Sequence, residues 1–150
     1  MRIPLTMASV LLAALAGGAA HAQEVKGADV YRAACAMCHQ AEQQGAAGLA
    51  PPLKGSYWDE LAKARVYVPG VLLAGMHGPI TTDEGPFVGV MPTQNRLSDA
   101  EIAAVTNFLV KDVNGQAGVP AVEPAEVAKL RARPAAVAEL RTLRKQSVAK

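Results

Sequence analysis

The feature that most restricts this chain is the run Cys-Ala-Met-Cys-His at residues 35–39. Cys35 and Cys38 are the only cysteines among the 150 residues, and His39 follows them directly. Two thiols at this spacing beside an imidazole are typical of c-type haem attachment, in which the thiols add to the two vinyl groups and the imidazole binds the iron. The sequence therefore predicts one haem c held by Cys35 and Cys38, with His39 as the proximal iron ligand.

Three other uses of the two cysteines are weaker alternatives. A disulfide between them would close too small a loop to restrict the unfolded chain much. A structural zinc ion wants four ligands, and apart from the cysteines only His39 and His77 could supply them. A thioredoxin-like redox pair is expected after a strand, whereas the segment before Cys35 has a helical pattern.

The second axial position of the iron has three candidates. Met91 lies 52 residues after His39, and the following Pro92 fixes the backbone beyond the sulfur. Met76 and His77 are adjacent alternatives. If they are not ligands, we expect Met76 to be a core methionine and His77 to be a histidine of a surface loop. We predict that Met91 is the sixth ligand.

Residues 1–22 have the pattern of an export signal. Arg2 supplies a positive start, an apolar run follows, and Ala-His-Ala at residues 20–22 fits a cleavage site. The apolar run of about 14 residues is shorter than the roughly 20 that a membrane-spanning helix needs. We expect cleavage before Gln23, a periplasmic mature protein and no membrane span after cleavage.

Charge divides the rest of the chain into two parts. Residues 23–114 carry 7 Lys or Arg against 10 Asp or Glu, and residues 115–150 carry 7 against 3. A net charge of +2 over the whole chain does not indicate a nucleic-acid partner. We expect residues 23–114 to form one domain that folds by itself, followed by a linker and a basic, partly helical tail at residues 115–150.

The tail carries apolar side chains among its basic residues. They are Val127, Leu130, Val137, Leu140 and Leu143, with Pro134 expected to interrupt any helix. A solvated extension and a clasp over the acidic domain are two interpretations of this pattern. We favour a third, in which the tail docks on a partner subunit.

Several positions around the haem motif match those of a known family. They are Gly27 and Tyr31 before the first cysteine, Pro51 in the run Ala-Pro-Pro-Leu-Lys-Gly, Met91-Pro92, and Phe108. On these residues the chain resembles the class I, mitochondrial-type cytochromes c, of the bacterial periplasmic monohaem kind, over about residues 25–113. Two features depart from that pattern: alanine stands at residue 50, where glycine is common, and the basic tail has no counterpart in the minimal domain.

The resemblance implies an all-α cytochrome c fold, with about four to five short helices around one covalent haem and the basic C-terminal extension outside it. It also implies that the Pro51 carbonyl accepts a hydrogen bond from His39, which would orient the iron ligand. The first helix would pack on the last at Gly27, with Tyr31 and Phe108 filling the contact.

Local patterns predict further elements. Ser98 and Glu101 form a capping box at the start of the closing helix. A short helix is expected over residues 59–68, ended by Pro69-Gly70, and a loop over residues 78–86. Donors for the haem propionates would come from Trp58, Tyr57, Arg65 and Arg96, with ordinary packing or surface exposure as the alternative for each.

The resemblance implies an electron carrier of a respiratory chain rather than an enzyme. With His39 and Met91 both on the iron, O₂ and peroxide would find no open position. The expected partners are a periplasmic dehydrogenase as donor and a cytochrome or an oxidase as acceptor. The alternative is a haem enzyme or gas-binding protein, which requires the Met91 ligand to be missing or labile.

Overall fold

The computed structural model describes residues 24–148, so the predicted export signal at residues 1–22 lies outside the described residues. Within them the elements are α1 (Gly27–Ala34), α2 (Ala36–His39), α3 (Trp58–Leu61), α4 (Tyr67–Ala74), β1 (Met76–Thr82), β2 (Gly85–Met91), α5 (Asp99–Asn107), a π-helical segment (Phe108–Val113), α6 (Pro124–Ala132) and α7 (Val137–Val148). The mainly helical class is confirmed, with one small hairpin added. None of the helices in this part of the chain is long and apolar enough to cross a bilayer.

Helix α1 crosses α5 where only a glycine fits. A Cβ atom on Gly27 would lie 2.2 Å from the carbonyl oxygen of Ala104 and 2.6 Å from the Cβ of Phe108. Beside this contact the rings of Tyr31 and Phe108 pack with their centroids 5.7 Å apart. The predicted packing of the first helix on the closing helix is therefore confirmed.

Both ends of the closing helix are fixed by side chains. Ser98 Oγ accepts from the Glu101 amide, and the Glu101 carboxylate accepts from the Ser98 amide at 2.8 Å, so the predicted capping box is present. After Asn107 the helix continues as the π-helical segment. Asn114 Nδ2 then donates to the carbonyl of Leu53 at 2.9 Å, which ties the end of this helix to the loop after Pro51.

The expected helix over residues 59–68 is wrong in its bounds. The structure has a single turn, α3, and then a separate helix α4 in which Pro69 is the third residue. The amide groups of the first helical turn have no intrahelical acceptor, so a proline there removes no hydrogen bond. Pro69 therefore belongs to the start of a helix rather than marking the end of one.

The predicted loop over residues 78–86 is also wrong, because these residues belong to an antiparallel hairpin. Strands β1 and β2 pair in a register that sets Met76 opposite Met91. Pro79 and Pro86, which suggested a loop, are exposed. Each strand of a two-stranded sheet has one unpaired edge, where a missing amide donor is tolerated.

The residues after Asn114 fold back on the body of the molecule. Helix α6 packs on α4 and α5, and α7 packs on α3, α4 and β1. Val127 and Leu140 are each 0% exposed and join the same core as Ile102. Sequence reasoning favoured a partner subunit as the cover for these side chains, but the cover is the chain's own body. A sequence pattern shows that an apolar face must be buried and not what buries it.

Two arginines bind the tail to the body through polar contacts. Arg131 of α6 donates to the Asp99 carboxylate at 2.8 Å and to two carbonyls of the loop before α5. Arg65 of the body donates to the Glu126 carboxylate at 2.5 Å and to two carbonyls of the segment leading into α6. Exposed ion pairs contribute only about 0–1 kcal/mol each, so the buried apolar side chains supply most of the stabilisation.

Candidate functional site

The two cysteines and His39 share one helical turn. Helix α1 ends at Cys35, and α2 is the single turn that follows. The amides of Cys38 and His39 donate to the Cys35 carbonyl at 3.2 and 3.0 Å. Side chains three and four positions apart lie on the same face of a helix, so both thiols and the imidazole face one side. The two thiols are not joined to each other, which leaves both available for thioether bonds.

The surroundings of Cys35 disfavour the alternative uses of the pair. Burial raises the pKa of the Cys35 thiol to about 11, while the charge of Arg96 acts in the opposite direction. A thiol that stays protonated is a poor redox nucleophile. Within residues 24–148, no group of three or more His, Cys, Asp or Glu side chains is arranged to hold a metal ion, so the zinc alternative has no ligand set there.

His39 is held in the form that binds iron. Its Nδ1 lies 3.0 Å from the carbonyl oxygen of Pro51, the acceptor that the resemblance implies. A carbonyl oxygen can only accept, so Nδ1 carries the proton and Nε2 keeps a free lone pair. His39 is 5% exposed, and this burial lowers its pKa, with the hydrogen bond to Pro51 opposing the shift. The ring is therefore neutral and fixed in orientation.

The loop that carries Pro51 closes tightly over His39. The Gly45 amide donates to the His39 carbonyl at 3.0 Å, and Gly45 has φ +74°. A Cβ atom on Gly45 would lie 2.6 Å from the Ala50 carbonyl oxygen. Ala50, where the family commonly has glycine, is buried and forms an antiparallel bridge with Ala46, so this departure is accommodated.

The hairpin separates the candidates for the second axial position by face. Met76 and Met91 are cross-strand partners and lie on the inner face, where Met76 is buried and Met91 is half-buried against the core. His77 lies on the opposite, exposed face, because successive strand residues alternate. The segment after Met91 is fixed to α4, since Thr93 Oγ1 donates to the Leu73 carbonyl at 3.0 Å. Among the three candidates, the geometry therefore favours a methionine sulfur over His77.

Three of the four candidate donors for the propionates bind other groups or are exposed, whereas the fourth, Trp58, is buried. Tyr57 donates to the carbonyls of Pro52 and Lys54 at 2.9 and 3.2 Å. Arg65 binds the tail, and Arg96 is exposed. Trp58 is buried, and its Nε1 has no acceptor among residues 24–148.

These observations test whether the residues fit a covalent haem. The free thiols of Cys35 and Cys38, the neutral imidazole of His39 and the unpaired indole N–H of Trp58 supply attachment, ligation and a donor for a carboxylate. The residues fit. Sequence reasoning missed a further buried donor, Arg144 of α7, because no local pattern distinguishes it from the other arginines of the tail.

Comparisons with known proteins identify similar chains. Residues 24–111 match the family model described as Cytochrome c. A protein named cytochrome c-552 from one strain of Thermus thermophilus is 42% identical over 124 residues, which cover 79% of this chain and 82% of that protein. A second protein of the same name, also from Thermus thermophilus, is 40% identical over 115 residues, covering 73% of this chain and 87% of its own length. Both similarities extend beyond the segment that the family model matches.

Proposed function

The chain belongs to the cytochrome c family, and we propose that it is a periplasmic one-electron carrier whose haem iron is bound by His39 and Met91. Membership of the family implies a covalently bound haem c with iron and a role in electron transfer. The haem supplies a one-electron couple between ferrous and ferric iron. The axial ligands, the compartment and the redox partners are the parts that we propose.

One observation supports His39 as the proximal iron ligand. Its Nδ1 donates to the Pro51 carbonyl at 3.0 Å, and His39 itself lies on the same turn as both thiols. This bond leaves Nε2 free, and it would hold the ring in one orientation when the bound iron changes its oxidation state. A ligand that does not move between oxidation states keeps the reorganisation small, which suits a carrier.

Met91 is the residue that we propose as the second axial ligand of the iron. It lies on the inner face of the hairpin, and its flanking segment is fixed to α4. A thioether ligand favours the ferrous state, so it suits a carrier that accepts electrons from a dehydrogenase. If His39 and Met91 both hold the iron, small molecules would find no site on it, which would favour electron transfer over a haem enzyme or a gas-binding protein.

The compartment and the partners follow from the sequence pattern. The export signal predicted at residues 1–22 supports a periplasmic location. We propose a periplasmic dehydrogenase as the donor and a cytochrome or an oxidase of a respiratory chain as the acceptor.

A matched pair of variants tests the ligand assignment. Met91→Leu and Met76→Leu each remove a sulfur while keeping an apolar side chain of similar volume. We expect Met91→Leu to open the sixth position, lower the reduction potential and let CO bind the ferrous protein, whereas Met76→Leu leaves the visible spectrum unchanged. His77→Ala, on the outer face of the hairpin, is the control and should also leave it unchanged.

Two results would contradict the assignment. If the effects of the two methionine variants were exchanged, Met76 would be the ligand. If His77→Ala lost the native spectrum, the sixth ligand would be the His77 imidazole and not a thioether. Visible spectra of the oxidised, reduced and CO-treated proteins distinguish these outcomes.

A further inference from the structure

Gln40, the residue directly after the proposed iron ligand His39, has a strained backbone. Its dihedral angles are φ 62° and ψ 160°, a combination that is found almost only at glycine. A side chain in this conformation crowds its own backbone and costs free energy. Such a conformation persists only where surrounding contacts hold it, so the contacts of Gln40 show what the strain maintains.

The carbonyl oxygen of Gln40 is held by two donors. The hydroxyl of Tyr31 in α1 donates to it at 2.7 Å, across nine positions of the chain, and the Gln43 amide donates to it at 3.2 Å. The shorter of these distances is the usual one for a well-formed hydrogen bond from a hydroxyl to an oxygen. The direction of this carbonyl depends on ψ of Gln40, so the Tyr31 hydroxyl restricts one of the two strained angles.

Tyr31 is itself fixed in place. It is 3% exposed, its ring packs on Phe108 at the crossing of α1 with the closing helix, and burial raises its pKa to about 12. The hydroxyl therefore stays protonated near neutral pH and can donate throughout that range. A phenylalanine ring would satisfy the same packing, so the hydroxyl has a role that packing does not explain.

The strained turn directs the loop that orients His39. Because the chain turns sharply at Gln40, the loop leaves α2 and returns with the Pro51 carbonyl 3.0 Å from His39 Nδ1. Gln43 also has a positive φ, 57°, and its carbonyl accepts from the Leu53 amide at 2.9 Å. A chain of hydrogen bonds thus runs from the strained residue to the segment around Pro51.

We propose that Tyr31 is a positioning residue for the proximal iron ligand. Its hydroxyl holds the strained carbonyl of Gln40 and thereby keeps the hydrogen bond between His39 and Pro51 in place. The proposal rests on the covalent haem of the family and on His39 as its ligand, and it does not require Met91. A hydrogen bond at Nδ1 raises the basicity of Nε2, and a more basic ligand favours ferric iron. Loss of the hydroxyl would let Gln40 relax, weaken this hydrogen bond and so raise the reduction potential.

Removal of the hydroxyl is the direct test. Tyr31→Phe keeps the ring and removes only the donor. We expect the ratio of ferrous to ferric holoprotein at a fixed applied potential to rise about threefold, a shift of about 28 mV for a one-electron couple. Exchange of the His39 Nδ1 proton with solvent should also become faster, because the bond to Pro51 is weaker. A ratio equal to that of the native holoprotein would overturn the proposal.

Relief of the strain provides a second test. Glycine adopts the angles of Gln40 without a steric penalty, so Gln40→Gly should retain the native ratio of ferrous to ferric protein. In this variant the turn no longer needs the hydroxyl to hold it. Adding Tyr31→Phe to Gln40→Gly should therefore change the ratio far less than Tyr31→Phe alone. An equal change in both backgrounds would mean that the hydroxyl does not act through Gln40, which would refute the proposal.

Phe108→Leu is the control for loosening of the helix crossing. It removes the ring that packs on Tyr31 and keeps the hydroxyl that donates to Gln40. We expect it to lower the stability of the holoprotein and to leave the ratio of ferrous to ferric protein at its native value. The same rise as in Tyr31→Phe would show that the packing of the ring, and not its hydroxyl, sets the position of His39.

Failure of this proposal and failure of the Met91 assignment give different results. All of these variants leave both proposed axial ligands in place, so their outcome is measured by the potential. An absent Met91 ligand would appear instead as CO binding by the native ferrous protein, and the rise expected for Tyr31→Phe would remain.

Discussion

Residues 35–51 and residues 115–148 both pack against the centre of the molecule, but their contacts span very different lengths of chain. In the first region His39 reaches Pro51 across 12 positions, within one loop. In the second, Arg144 reaches Thr81 across 63 positions, and Arg65 reaches Glu126 across 61. The conformation of residues 35–51, which we call the attachment segment, is therefore determined by its own residues. The position of the tail is determined by its contacts with the rest of the fold.

This difference assigns separate roles to the two regions. The attachment segment carries the thiols and the neutral imidazole on one turn. Hydrogen bonds between residues close together in the sequence fix its conformation. The tail adds the fully buried side chains of Val127 and Leu140 to a core that would otherwise be open on that side. In a chain with few aromatic residues, the tail contributes apolar area that the first 114 residues do not supply.

Removal of the tail should have the largest effect. Sequence reasoning predicts that a chain ending at Asn114 keeps its fold, and the structure leads to the opposite expectation. Burial of a Val or Leu side chain contributes about 1.5–3 kcal/mol, so loss of the whole tail should cost at least about 5 kcal/mol, comparable with the total stability of a small domain. Holoprotein yield and thermal unfolding of the truncated protein measure this. Unfolding at the full-length temperature would show that the tail is dispensable.

A single substitution in the tail should have the next largest effect. Leu140 is fully buried, and its side chain packs on Gly70. Leu140→Ala should lower the free energy of unfolding by about 2–5 kcal/mol, since it leaves a cavity in the core. Leu49→Ala, at a side chain that is 54% exposed, is the control and should change it by less than about 0.5 kcal/mol. Equal effects in chemical denaturation would mean that α7 does not hold its place on the body.

The crossing of α1 and α5 should respond to one added methyl group. Gly27→Ala places a Cβ atom 2.2 Å from the Ala104 carbonyl oxygen, so the helices must move apart, at a cost of about 1–3 kcal/mol. Gly118→Ala is the matched control, because nothing lies within 4 Å of its added Cβ. Chemical denaturation of both variants should show destabilisation at Gly27 alone. A stable Gly27→Ala protein would mean that this crossing is not close-packed.

The smallest effect concerns pH and the Arg65–Glu126 pair. The hydrogen bond from Arg65 holds the pKa of Glu126 below its ordinary value of 4.5. The carboxylate therefore stabilises the folded state above about pH 4.5, and this contribution is lost as pH falls through the lower folded-state pKa. Glu126→Gln should unfold at a slightly lower temperature than the native protein at pH 6, and this difference should shrink as the pH falls below 4.5.

Glu139→Gln serves as the control for this pH series. Glu139 is exposed in the first turn of α7 and forms none of the ion pairs seen among residues 24–148. Its substitution should leave the pH dependence of thermal unfolding unchanged. A pH-independent difference between Glu126→Gln and the native protein would show that the ion pair does not contribute.

The parts of the fold that sequence reasoning predicted well have local or repeated patterns. The capping box needs only Ser98 and Glu101, three residues apart. The first-to-last helix contact was predicted from Gly27, Tyr31 and Phe108 through the family resemblance, and the glycine is there because two backbones meet. In the site, the spacing of the motif was sufficient to identify the turn that carries the two thiols and the imidazole.

The parts that were missed depend on distant partners. Pro79 and Pro86 suggested a loop. The sequence does not show that they belong to a two-stranded hairpin, in which each strand has one edge without a neighbouring strand and a missing amide donor is tolerated. The burial of Arg144 is determined by Tyr57 and Thr81, which lie in two other parts of the chain. No window around Arg144 contains that information, so its burial emerges only from the fold.

The most direct test of the central claim is the visible spectrum of the native reduced holoprotein before and after addition of CO. We propose that His39 and Met91 both bind the iron, so that the chain would carry electrons and would not bind small molecules on iron. We predict that CO leaves the spectrum of the native ferrous protein unchanged. A prompt spectral change on adding CO would show an open or labile sixth position and would contradict the electron-carrier account in favour of a gas-binding or catalytic haem.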